Sequence, residues 1–158
     1  MDEGHRTYLN LGSNIEAETN LPAVLPVLRE FGEVRALSRA WESRAVGSSG
    51  PNFLNACALF HTAQSLDELR ATTRSVETRL GRVRTEDVNA PRTIDIDIMM
   101  YDGQPLLLDR WEHPFVLVPL AELAPELPFP ATGEPLRSAA ERTRAQTWIV
   151  PRPDVELK

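Results

Sequence analysis

The sequence has 158 residues, one cysteine and a net charge of −6 from 17 basic and 23 acidic side chains. A chain of that size makes one domain, able to bury roughly 70% of its unfolded surface without disulfides, and its charge has the wrong sign for non-specific nucleic-acid binding. No apolar run approaches the ~18 residues of a membrane span and the start MDEGH is acidic where a signal peptide is basic, so a cytoplasmic protein with no membrane partner is expected, and, with no long apolar edge or heptad pattern, a monomer.

In chain order, TYLNL (7 to 11) alternates like a half-buried strand and stops at the turn cluster Gly12-Ser13-Asn14. Thr19 or Asn20 then caps an expected helix with the stripe Leu21, Val24, Leu25, Leu28 and Phe31, where Pro26 predicts a kink or a late start. Residues 34 to 43 and 53 to 61 read as the next two strands, joined by the Gly/Ser/Pro-rich RAVGSSGPN, which is too long for a tight turn. Cys57 sits in the second of these, FLNACALF, and reads as a small core residue.

Ser65-Leu66-Asp67-Glu68 has the form of a capping box, opening a helix with Leu66, Leu69, Val76 and Leu80 on one stripe and Gly81 at its end. A polar stretch, GRVRTEDVNAPR, feeds the strand TIDIDIMMY, which turns at Asp102-Gly103. Residues 106 to 108 and FVLV (115 to 118) are expected as short edge strands, PLAELAPEL as a short helix and TWIV (147 to 150) as a last strand. The order βαββαβ predicts an α+β, ferredoxin-like sandwich, an antiparallel sheet with helices on one face, plus a C-terminal extension.

The strand TIDIDIMMY carries the chemistry. Ile94, Ile96 and Ile98 point one way, and Asp95 and Asp97 point the other with Cα atoms ~6.6 Å apart. Two ionised carboxylates sharing a face resist desolvation and repel each other. By spacing alone two readings stand: a divalent cation pinned between them, Mg²⁺ rather than zinc because only oxygen ligands are at hand, or the solvated outer face of an edge strand. Arg82, Arg84 and Arg92 bracket the preceding loop, and guanidinium forks suit phosphate oxygens, which favours a metal-bound polyphosphate. Asn55, an amide inside an apolar run, must be satisfied by backbone or by a polar heterocycle, on which Phe53 could stack.

LGSN (11 to 14), GPNFLNACALF (50 to 60), VETRLGRVR (76 to 84), APRTIDIDIMMYDG (90 to 103) and FVLVPLAELAPEL (115 to 127) together resemble the 6-hydroxymethyl-7,8-dihydropterin pyrophosphokinase family over about residues 6 to 130. The resemblance implies a single catalytic domain that moves a pyrophosphoryl group from ATP to the pterin's hydroxymethyl oxygen, releasing AMP, in folate biosynthesis. It implies Asp95 and Asp97 as ligands of two Mg²⁺ ions, and Arg82 and Arg92 as catalytic phosphate holders. Arg74, Glu77, Arg84, Ile98, Arg110 and His113 join them on the nucleotide side, and Ser43, Arg44, Val46, Phe53, Asn55 and Phe115 surround the pterin. Loops 12 to 20, 43 to 52 and 82 to 92 are expected to close over both substrates.

This chain departs from the family in a shortened 104 to 114 segment, with Arg74, Val88 and Asn89 where a glutamine, a basic residue and an aromatic residue are usual. Two alternatives accompany the resemblance. One is a ferredoxin-like module that binds a metal-nucleotide without chemistry, and the other is a pyrophosphokinase acting on a different hydroxylated heterocycle.

Overall fold

The computed structural model describes residues 4–45, 50–82 and 92–158. Its first half is the expected βαββαβ unit: β1 (His5–Ser13), α1 (Ala17–Leu28), β2 (Glu33–Leu37), β3 (Trp41–Ser43), β4 (Phe53–Thr62), α2 (Leu66–Arg79) and β5 (Asp95–Tyr101). There follow β6 (Gln104–Pro105), α3 (Pro114–Leu123), α4 (Leu136–Gln146) and β7 (Ile149–Pro151). Among the described residues these strands form one antiparallel sheet in the order β6-β5-β1-β4-β3-β7, with β2 also on β4. No helix among them is long and apolar enough to cross a membrane.

The stretch expected as one strand, 34 to 43, lies along a single edge of β4 but in two pieces. Ser38 divides them: its N–H donates to the Cys57 carbonyl and its Oγ accepts from the Cys57 N–H, both at 2.9 Å or less. A side-chain oxygen thus does the work of a ladder carbonyl, and the regular pairing is interrupted.

Leu9, Leu11, Ala56, Phe60, Ile96 and Ile98 face α1 and α2 in one buried cluster, and Tyr8, Trp41, Cys57 and Met99 meet α3 and α4 in a second. The C-terminal extension therefore builds a further helical layer on the sheet's other side. α2 starts at the Ser65–Glu68 capping box, with Ser65 Oγ accepting from the Glu68 N–H and Glu68 Oε1 accepting from the Ser65 N–H. α1 begins at Ala17, ahead of the expected cap, and passes through Pro22 and Pro26. Pro26 lies on its exposed side, where water can take the carbonyl left without a donor.

The C-terminal expectations need correction. FVLV is helical, because Pro114 sits at the first helical position and Val116 to Ala121 are all buried between sheet and α4. A helix apolar on every side has no amphipathic period and mimics a buried strand in sequence. Residues 106 to 108 are not a strand either: Leu107 has φ of 52°, a left-handed conformation that ends pairing, and Leu108–Arg110 forms one 3₁₀ turn. α4 was not foreseen, since its inward stripe is only Leu136, Ala139 and Ala140.

Candidate active site

β5 has β1 along one side, but β6 pairs only with Met100 and Tyr101, so its edge from Asp95 to Met99 has no strand partner among the described residues. An open edge exposes backbone donors that need satisfying. Glu77 of α2, 3% exposed, takes one of them: its Oε2 accepts the Ile96 N–H at 2.7 Å. The same oxygen lies 3.0 Å from Arg82 Nη1. Glu77 thereby ties α2, the end of the Arg82 loop and the β5 edge together.

The carboxylate pair is neutralised by guanidinium groups. Arg82 Nη1 donates to Asp95 Oδ1 at 2.9 Å, Arg92 Nη1 to Asp95 Oδ2 at 3.3 Å, and Arg110 Nη1 to Asp97 Oδ1 at 2.8 Å. Burial and the negative charge of Asp95 push the Asp97 carboxyl up to about 6, against the pull of Arg110. The Asp97 charge in turn raises the Arg110 guanidinium further. A cleft of about 430 Å³ follows this edge, lined among others by Arg74, Glu77, Arg82, Arg92, Ile98 and Arg110.

Asn14 positions Arg92. Its N–H donates to the Arg92 carbonyl at 3.0 Å and its Oδ1 accepts the Arg92 N–H at 2.6 Å, while Nδ2 reaches the Pro51 carbonyl at 3.3 Å. One asparagine at the end of β1 thus joins two approaches to the site. In the sequence only its place in LGSN marked it.

On the sheet face shared with the carboxylates, register sets Asn55, Gly12 and Asp95 in one row across β4, β1 and β5. Strand spacing puts Asn55 and Asp95 about 10 Å apart at Cα, with glycine between them. A Cβ at Gly12 would stand 2.5 Å from Asn55 Nδ2, so the Asn55 amide can lie over β1 only because glycine has no side chain there. Asn55 is buried, and its Oδ1, like Ser43 Oγ, has no hydrogen-bond partner among the described residues. Buried acceptors without partners are costly in a folded core, and a ligand carrying donors would satisfy both. Gly12→Ala is expected to turn Asn55 aside, raising the KM of a heterocycle bound there about tenfold or more while leaving metal-nucleotide binding within about twofold. Steady-state kinetics and a nucleotide titration on the variant check both halves.

The structure distributes the other expected residues as follows. Phe53, half-buried, opens β4 opposite Ser43. Phe115 stacks on His113 with ring centroids 4.9 Å apart, and His113 is not part of the carboxylate cleft's lining. Arg44 is exposed and lies over the Trp148 ring. Val46 and Arg84 lie outside the described residues, as do Val88 and Asn89. Gly12, Asn14, Leu106 and Leu107 border the candidate site, and none of them has a role of its own legible in the sequence.

Among the described residues no three His, Cys, Asp or Glu side chains converge as a complete cage. The Cys57 thiol is fully buried and its pKa is pushed far up by that burial, so no soft ligand is on offer. Two carboxylates fit a hard cation that completes its shell with water and phosphate oxygens.

A profile of the family 7,8-dihydro-6-hydroxymethylpterin-pyrophosphokinase matches residues 8–125. The 2-amino-4-hydroxy-6-hydroxymethyldihydropteridine pyrophosphokinase of Synechocystis sp. is 32% identical over 164 residues, covering 97% of this chain and 84% of that protein. The protein of the same name from Methylorubrum extorquens is 36% identical, covering 85% of this chain and 90% of that one. A crystal structure of a Plasmodium falciparum HPPK-DHPS triple mutant superposes with a TM-score of 0.70 at 11% identity, over 92% of this chain and 45% of that longer chain, a likeness of fold. With the profile spanning both the Asn55–Gly12–Asp95 row and the Asp97 edge, this chain belongs to the 7,8-dihydro-6-hydroxymethylpterin-pyrophosphokinase family.

Proposed function

We propose that this chain, as one catalytic domain acting as a monomer, transfers the pyrophosphoryl group of ATP to the hydroxymethyl oxygen of 6-hydroxymethyl-7,8-dihydropterin and releases AMP, a step of folate biosynthesis. The observation that carries this reading is the row in which Asn55, with an unpartnered oxygen, faces Asp95 across the side-chain-free Gly12. That spacing lets a flat ring held at Asn55 extend its arm to the carboxylates. Asn55 Oδ1 would accept a ring N–H, and Phe53 and Phe115 would form the ring's walls.

On the other side, Asp95 and Asp97 would hold two magnesium ions with the nucleotide. A metal held by these two carboxylates would supply charge neutralisation for the transferring group and a lowered pKa for the attacking hydroxyl. Arg82, Arg92 and Arg110, which already face the carboxylates, would turn their forks to phosphate oxygens as the aspartates take up the cation. The cleft would keep the reacting groups aligned and water away from the phosphorus, and the hydroxyl, with its pKa lowered, would pass its proton to a phosphate oxygen as the bond to AMP breaks, so that no dedicated side-chain base is required. Arg84 and Val46 keep the roles given by the resemblance.

Incubating the protein with ATP, Mg²⁺ and the pterin is expected to yield one AMP per pyrophosphorylated pterin. ATP binding with no AMP would replace this reading by the non-catalytic module, and AMP release only with another hydroxylated heterocycle would change the acceptor.

A further inference from the structure

Asn10 stands in the middle of β1, directly opposite Asp97 on β5 and Cys57 on β4. Residues directly opposite in an antiparallel pair share a face, with Cβ atoms about 5 Å apart, so the Asn10 amide lies beside the Asp97 carboxylate. It is 4% exposed, and its Oδ1 has no hydrogen-bond partner among the described residues, Cys57 included. Two positions back on the same face, Tyr8 belongs to the apolar cluster under α3, and two positions on, Gly12 lies under the Asn55 amide. Asn10 thus marks where the apolar layer ends and the carboxylates begin.

An apolar side chain would suit this place in a purely structural strand. Neither the core nor Asp97 uses the Asn10 oxygen, and an unmatched buried amide is unfavourable. Small hard cations keep several waters when bound by one or two carboxylates, and each such water brings protons that need acceptors. The groups around a bound ion that receive those hydrogen bonds fix its position.

We infer that Asn10 is a positioning residue of the metal site, its side-chain oxygen accepting a hydrogen bond from a water in the shell of the ion that Asp97 holds. The inference rests on the proposed role of Asp95 and Asp97 as metal ligands. It adds a neutral acceptor between those carboxylates and the apolar layer, so that the ion's water is held in one orientation without more negative charge.

The test uses the full chain with Mn²⁺ and ATP and no pterin, so that nothing turns over, and reads Mn²⁺ affinity and bound-water signals by electron paramagnetic resonance and water proton relaxation. Asn10→Leu removes the oxygen and is expected to weaken Mn²⁺ binding in the ATP complex about tenfold while raising the metal-free melting temperature. Asn10→Asp keeps an oxygen but lacks the amide N–H₂, and is expected to hold Mn²⁺ at least as tightly as the native chain.

Native-like Mn²⁺ affinity and relaxation in Asn10→Leu would overturn the inference. So would an Asn10→Asp variant as weak as Asn10→Leu, the result expected if the amide N–H₂ mattered to the fold; should Asn10→Leu not fold, Asn10→Asp decides. Asp97→Asn serves as the separate control. If it binds Mn²⁺ and ATP as the native chain does, the carboxylate reading itself fails, whereas its loss of binding beside an unaffected Asn10→Leu defeats only the role of Asn10.

Discussion

Asp97→Asn is expected to lower AMP release on the order of a thousandfold and at the same time to make the metal-free protein more resistant to unfolding at neutral pH. The two effects share one cause. Asp97 is largely buried beside Asp95, and its carboxyl is pushed up to about 6 from an ordinary 3.8. The folded protein therefore holds a proton that the unfolded chain has already lost between pH ~4 and ~6, and linkage makes stability fall as pH rises through that window. Below it the contribution is fully present, and above it the contribution is gone. The stability lost across the window is about 3 kcal/mol. Asparagine does not titrate, so urea unfolding from pH 4 to 7.5 should give a falling curve for the native chain and a flatter one for the variant. Parallel curves would remove the electrostatic cost assigned to Asp97.

The second large effect concerns Arg82, whose guanidinium lies between Glu77 at 3.0 Å and Asp95 at 2.9 Å, all three side chains at most one-fifth exposed. Removing one partner of a buried ion pair leaves an uncompensated charge and costs about 3–5 kcal/mol. Arg82→Met is therefore expected to lower the melting temperature by roughly 10 °C and AMP release by about a hundredfold. Adding Glu77→Gln removes one negative charge beside the lost guanidinium but keeps an oxygen for the Ile96 N–H, so the double variant should regain part of the stability and none of the activity. Calorimetry and the AMP assay on both variants separate structural from catalytic loss. An Arg82→Met variant as stable as the native chain would show that the pair is solvated.

Features that depend on neighbours in sequence were legible. The Ser65–Glu68 box, the turn at Asp102-Gly103 and the two-residue period that sends Ile94, Ile96 and Ile98 inward and Asp95 and Asp97 outward all stand as read. The need for something to neutralise the carboxylates was also legible, though the structure answers it first with Arg82, Arg92 and Arg110. What escaped depends on distant parts of the chain. FVLV is helical because sheet and α4 enclose it, and α4 itself packs through a leucine and two alanines, too weak a stripe to announce a helix. The resemblance puts Glu77 on the nucleotide side, but its bond to the Ile96 N–H spans 19 positions and leaves no local signal in the sequence. Gly12 and Asn10 gain their meaning only when β1 is set between β4 and β5.

Crystals grown with Mn²⁺ and a non-hydrolysable ATP analogue, measured at a wavelength where manganese scatters anomalously, test whether Asp95 and Asp97 hold the metal of the nucleotide. Anomalous peaks are expected within coordination distance of the Asp95 and Asp97 oxygens, with the Arg110 fork turned from Asp97 to a phosphate. A nucleotide lying elsewhere, with Asp97 still paired to Arg110 and no manganese at either aspartate, would contradict that role.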